Sequence, residues 1–128
     1  MMELLRLARQ SIGILDICLH FIQKGSEDMK EISNVREFTG DETARPIKDL
    51  INDRMINDKD KILDYLKSFD PDCAAGMSLV DEVTGDIIET GVNGYEDGQY
   101  YWDTRHIYHF EKYNLKLDDD FVAHVLKH

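Results

Sequence analysis

Five histidines have the type and spacing that could do chemistry: His20, His106, His109, His124 and His128. His106 and His109 are three residues apart and His124 and His128 four, so each pair shares one face of a helix. If the last two helices pair, four imidazoles become available to zinc or another divalent metal. Neither pair encloses a glutamate of the zincin kind, no cysteine stands nearby, and His128 is the last residue of the sequence. Surface histidines near helix ends are the simpler account. We therefore expect no metal and no cofactor, and keep a metal-dependent enzyme or metal sensor as the alternative.

Other catalytic signatures are missing. There is no Gly-x-Ser-x-Gly elbow, no phosphate loop and no Gly-x-Gly-x-x-Gly. Carboxylates are abundant, but acid–base work needs one in a shaped, partly dry pocket, which spacing alone does not mark. Asp118-Asp119-Asp120 is followed directly by an apolar helix, and helix capping explains it. We expect a protein that is not an enzyme.

Charge says more. The 128 residues hold 15 basic and 26 acidic side chains, a formal charge of −11. Residues 1–69 carry 11 basic and 13 acidic residues, a net of −2, and residues 70–128 carry 4 and 13, a net of −9. So acidic a surface repels a nucleic-acid duplex, which excludes that class of partner. The acids Asp81, Glu82, Asp86, Glu89, Glu96 and Asp97 interleave with Tyr95, Tyr100, Tyr101 and Trp102. Rigid rings flanked by carboxylates suit recognition of a basic protein.

These residues must be positioned by a single domain over 1–128, since the length suits one packed core. Leu4, Leu5, Ala8, Ile12, Leu15, Leu19 and Ile22 recur at three and four and predict a helix over 3–24. A weaker helix should run from Ser26 to about Phe38, with Ile32, Val35 and Phe38 inward. Pro46 opens a third over 47–56, and Asp58 a fourth from Lys59 to about Phe69. The pattern then changes to short strands, Met77–Val83 and Asp86–Thr90 around a Thr84-Gly85 turn, and Gln99–Trp102 after Gly98. Helices led by Asp103 or Thr104, and by Asp118-Asp119-Asp120, close the chain. The expected class is α+β: N-terminal helices, a small antiparallel three-stranded meander and two C-terminal helices. Trp102, Phe110 and Phe121 should be core. A strand at the sheet edge could pair with its twin in a homodimer.

The start of the chain mixes both charge signs, and Asp16 and His20 interrupt the apolar stretch 12–22. That fits neither a secretory leader nor a membrane span. The expectation is a cytoplasmic protein without membrane association, with Cys18 and Cys73 reduced.

Three segments carry a resemblance. Tyr95-Glu96-Asp97-Gly98-Gln99-Tyr100-Tyr101-Trp102, then Ile107 to Leu117 with its Leu115-Lys116-Leu117 link, then Phe121-Val122-Ala123-His124-Val125 together resemble the C-terminal part of small acidic bacterial immunity proteins. These protect a cell from its own polymorphic or contact-dependent growth-inhibition toxin. The resemblance covers about the last third, and Asp118 stands where that pattern commonly has proline. It implies a non-catalytic toxin inhibitor whose partner is a cognate toxin domain with a basic surface, such as a nuclease. Contact is expected at Tyr95, Glu96 and Asp97 in the turn before the third strand, and next at Asp86 and Glu89. An acidic adaptor subunit of another complex would share the same surface.

Overall fold

The computed structural model describes residues 29–127; the expected helix over 3–24, Cys18, His20 and His128 lie outside them. The described chain is α+β. Its elements are β1 (Lys30–Glu31), α1 (Arg36–Thr39), a 3-10 turn (Ile47–Asp49), α2 (Lys59–Lys67), β2 (Cys73–Val80), β3 (Ile87–Glu96), β4 (Tyr100–Asp103), α3 (Thr104–Tyr113) and α4 (Asp119–Leu126). Among the described residues no helix is long and apolar enough to cross a membrane.

The sheet corrects the expected three-stranded meander. It has four strands in the order β1-β4-β3-β2, and β1 runs parallel to β4. The segment expected as a helix to Phe38 instead supplies this strand, with the Lys30 N–H donating to the Gln99 carbonyl and the Ile32 N–H to that of Tyr101. Without it β4 would leave a row of backbone groups unpaired at an edge. Ser33 and Asn34, which favour turns over helix interiors, then lead into one short helix. Ile32, Val35 and Phe38 are fully buried as expected, although no single helix holds them.

The helix expected over 47–56 shrinks to one 3-10 turn. The Leu50 carbonyl accepts from Lys116 N–H, and the Asn52 N–H donates to the Tyr113 carbonyl. Docking on the α3–α4 link thus replaces the helical ladder. Asn52, Asp53, Asn57 and Asp58 favour that outcome, and Met55 ends up 94% exposed.

Local signals hold elsewhere. α2 buries Ile62 and Leu66. α3 begins with a capping box: the Asp103 carboxylate accepts from Arg105 N–H, and His106 reaches back to Asp103 N–H. α4 buries Phe121 and Val125. Trp102 is buried among Leu66, Phe110 and Phe121, and its indole N–H donates to the Leu66 carbonyl at 3.2 Å.

β2 and β3 form a long hairpin. A β-bulge sets Gly76 and Met77 against Gly91, between the pairs Ala75↔Val92 and Ser78↔Thr90. Gly91 has φ 96, a conformation that disfavours side chains. Of β3, only Gly94–Glu96 pairs with β4, so the outer part of the hairpin projects beyond it by roughly 20 Å. Cys73, at the inner end of β2, is disulfide-bonded, which corrects the expectation of a reduced thiol there.

Candidate functional site

Three buried carboxylates organise the polar interior, and each is saturated by donors of the protein itself. Asp81 closes β2. It accepts from the hydroxyls of Tyr108 and Tyr113 at 2.7 and 2.6 Å, and from the amides of Val83 and Thr84. Lys112 stands 3.6 Å away. Burial by itself would raise its pKa, but the two hydroxyls and two amides outweigh that and hold it well below the usual carboxylate range. Asp81 therefore fastens the hairpin tip to α3. A second fastening lies beside it: the Glu82 N–H donates to His109 Nε2, while His109 Nδ1 donates to the Arg105 carbonyl. This assigns a neutral Nδ1–H tautomer. Burial lowers the His109 pKa and keeps it neutral.

Asp103 and Arg105 form the second group. Both are buried, and the guanidinium meets the carboxylate with Nε at 3.0 Å and a terminal nitrogen at 2.7 Å. The remaining terminal nitrogen donates to the Phe38 carbonyl at 2.8 Å. Burial raises the Asp103 pKa, and Arg105 together with His106 more than reverses it. His106 Nε2 lies 3.0 Å from the Ser33 carbonyl and 3.3 Å from Glu31, tying β1 to α3. Burial opposes its protonation, whereas the carboxylates of Asp103 and Glu31 draw its pKa upward. The same carboxylates join burial in raising the Tyr101 hydroxyl to about 12.

The third group belongs to the β3–β4 turn. Asp97 accepts from Tyr65 Oη at 2.6 Å, from the amides of Gln99 and Tyr100, and lies 2.9 Å from His124 Nε2. Burial pushes the Asp97 pKa up, and its hydrogen bonds bring it net below the ordinary value. The carboxylate is 3% exposed. Asp97 thus holds the turn together from inside.

The other expected contact residues divide between the two ends of β3. Tyr95 stacks on Trp102, ring centroids 6.4 Å apart and 19° from parallel, and packs against the main core. Glu96 is half-buried, in register with Tyr101. Asp86 and Glu89 lie at the opposite end, both exposed, roughly 30 and 20 Å along the chain from Glu96. No cation pairs with either among the described residues. The histidines are likewise dispersed: His106 and His109 point to different internal partners, and His124 serves Asp97. Among the described residues no three His, Cys, Asp or Glu side chains are grouped to hold a metal ion.

Sequence reasoning missed the apolar residues between the exposed acids. Val83, Ile87 and Ile88 are 47%, 70% and 42% exposed at the hairpin tip. One signal was present: adjacent isoleucines in Asp86-Ile87-Ile88-Glu89 break strand alternation, so both cannot face one core. No protein-family model, curated protein or solved structure matches this chain.

Proposed function

We propose that this chain is an immunity protein that binds a cognate bacterial toxin through an acidic surface, without catalysis of its own. The toxin is a protein with a basic surface, such as a nuclease. One observation carries the reading: Asp86 and Glu89 are exposed and unpaired among the described residues, while the buried carboxylates Asp81, Asp97 and Asp103 are consumed by internal bonds. Exposed, unpaired carboxylates steer a cationic partner and accelerate encounter. Internally saturated ones hold the scaffold that presents them.

An inhibitor must meet its toxin where the toxin acts. For a nuclease that is the cytoplasm, and we place the protein there. The Cys73 disulfide runs against this placement, because cytoplasmic thiols are kept reduced. Alkylation of free thiols in intact cells followed by mass spectrometry decides it. An unmodified, oxidised Cys73 in fresh cells would move the protein to an oxidising compartment.

The functional test is competition between cells in contact. A strain lacking this chain should be inhibited by its parent and rescued by the chain expressed in trans. Equal fitness of the deletion strain, under conditions where the parent makes its toxins, would end the immunity reading.

A further inference from the structure

We propose that the β2–β3 tip is the docking surface, and that Val83, Ile87 and Ile88 enter an apolar recess on a basic protein whose rim cations meet Asp86 and Glu89. This rests on the immunity reading only for the partner being a toxin; the surface and the partner's chemistry stand on the tip itself.

Exposure comes first. Asp86, Ile87, Ile88, Glu89 and Thr90 are exposed in succession. A second irregularity lies here, between the pairs Leu79↔Glu89 and Val80↔Ile87, so Ile88 is an extra residue on β3. Bulges of this kind re-aim side chains at functional edges. Val83, Ile87 and Ile88 are exposed within six residues of one another at this tip, whereas Met55 is exposed in a separate segment.

Rigidity comes second. The loop between the strands is held from behind by Asp81 on Tyr108 and Tyr113, and by the Glu82 N–H on His109. The Gly85 N–H closes it onto the Asp81 carbonyl at 2.7 Å. A tip already fixed in place loses little conformational freedom on binding, which favours affinity.

Charge selects the occupant. Between Lys67 and Arg105 the chain contains no Lys, Arg or His, and it contains nine Asp or Glu residues. A second copy docking tip to tip would set Asp86 and Glu89 against their own counterparts with no cation of the hairpin between them. A recess rimmed by Lys or Arg turns the same acids into attraction and penalises other partners.

The test places a photo-crosslinking amino acid at Ile87, with Met55 as the control position, in the organism that encodes the chain. Irradiation should link one basic protein through position 87 and none through position 55. With that protein purified, calorimetry should give one-to-one binding. Affinity should fall about tenfold or more in Ile87→Asp and again in the pair Asp86→Lys, Glu89→Lys, the scale of losing an anchor, and added salt should weaken it. Met55→Asp should bind as the wild type does, and unfolding followed by Trp102 fluorescence confirms that each variant is folded. Capture of a second copy of this chain, of a protein without a basic surface, through position 55 alone, or through neither position would overturn the proposal. So would capture at 87 with undiminished affinity of Ile87→Asp. A basic partner that is no toxin leaves the tip standing and removes the immunity reading; a toxin captured only through Met55 does the reverse.

Discussion

Replacing Asp81 by alanine removes the acceptor of four hydrogen bonds at once. The donors differ in what they lose. Val83 and Thr84 sit in an exposed loop, so water takes over their amides at little cost. Tyr108 and Tyr113, both on α3, are half-buried, and the hydroxyl of each gives up a bond to a charged acceptor. Such bonds contribute about 1.5–3 kcal/mol each. Relief from burying a carboxylate offsets part of that sum, so the expected loss is about 3 kcal/mol. On a total stability of about 5–15 kcal/mol this is a large fraction, and it should lower Tm by about 10 °C. Urea unfolding followed by Trp102 fluorescence measures it well, because Trp102 is the single tryptophan and is buried. The pH dependence supplies a second arm. The folded pKa of Asp81 is depressed, so its contribution is present above the unfolded value of about 3.9 and is lost as pH falls through the folded value. The gap between wild type and Asp81→Ala should therefore narrow below about pH 4. A loss under about 1 kcal/mol at neutral pH, within the range of surface substitutions, would refute the claim that Asp81 fastens the hairpin.

Arg105→Ala should cost about 3–5 kcal/mol in the same assay, because it leaves the buried Asp103 charge without its partner; a loss below about 1 kcal/mol would mean that water solvates Asp103. Nitrogen-detected NMR of the imidazoles should show His109 as the Nδ1–H tautomer, titrating below the ordinary histidine value. Its contribution to stability is then full above that ordinary value and is lost as pH falls through the lowered one, and titration at or above the ordinary value would contradict the assignment. Asp97→Ala should destabilise by about 2–3 kcal/mol by removing the charged acceptor of the Tyr65 hydroxyl and of two turn amides, whereas Glu96→Lys should stay within about 0.5 kcal/mol of wild type. Equal losses in the two variants would place both side chains in the same environment, against the burial seen for Asp97.

Local chemistry was legible without the fold. Lys59–Lys67, Thr104–Tyr113 and Asp119–Leu126 follow from three-and-four spacing and acidic starts, and the Asp103 cap follows from residue type. The hairpin was legible from Thr84-Gly85, though not its length. Core membership of Ile32, Val35, Phe38 and Trp102 was legible even where the element was not, since burial depends on apolarity more than on backbone conformation. What stayed hidden depends on residues far apart in the chain. Lys30–Glu31 becomes a strand because Tyr100–Tyr101 offers an open edge some 70 residues later; single-segment periodicity contains no trace of that edge. The Ile47–Ile56 stretch loses its helix to carbonyl and amide partners on the α3–α4 link. The same holds at the candidate site. Composition marked an acidic face, but it could not separate Asp86 and Glu89, left in water, from Asp81 and Asp97, which are buried under tyrosine hydroxyls contributed by distant helices. Whether a carboxylate binds a partner or holds a turn depends on which donors surround it, and only the tertiary structure brings those donors together.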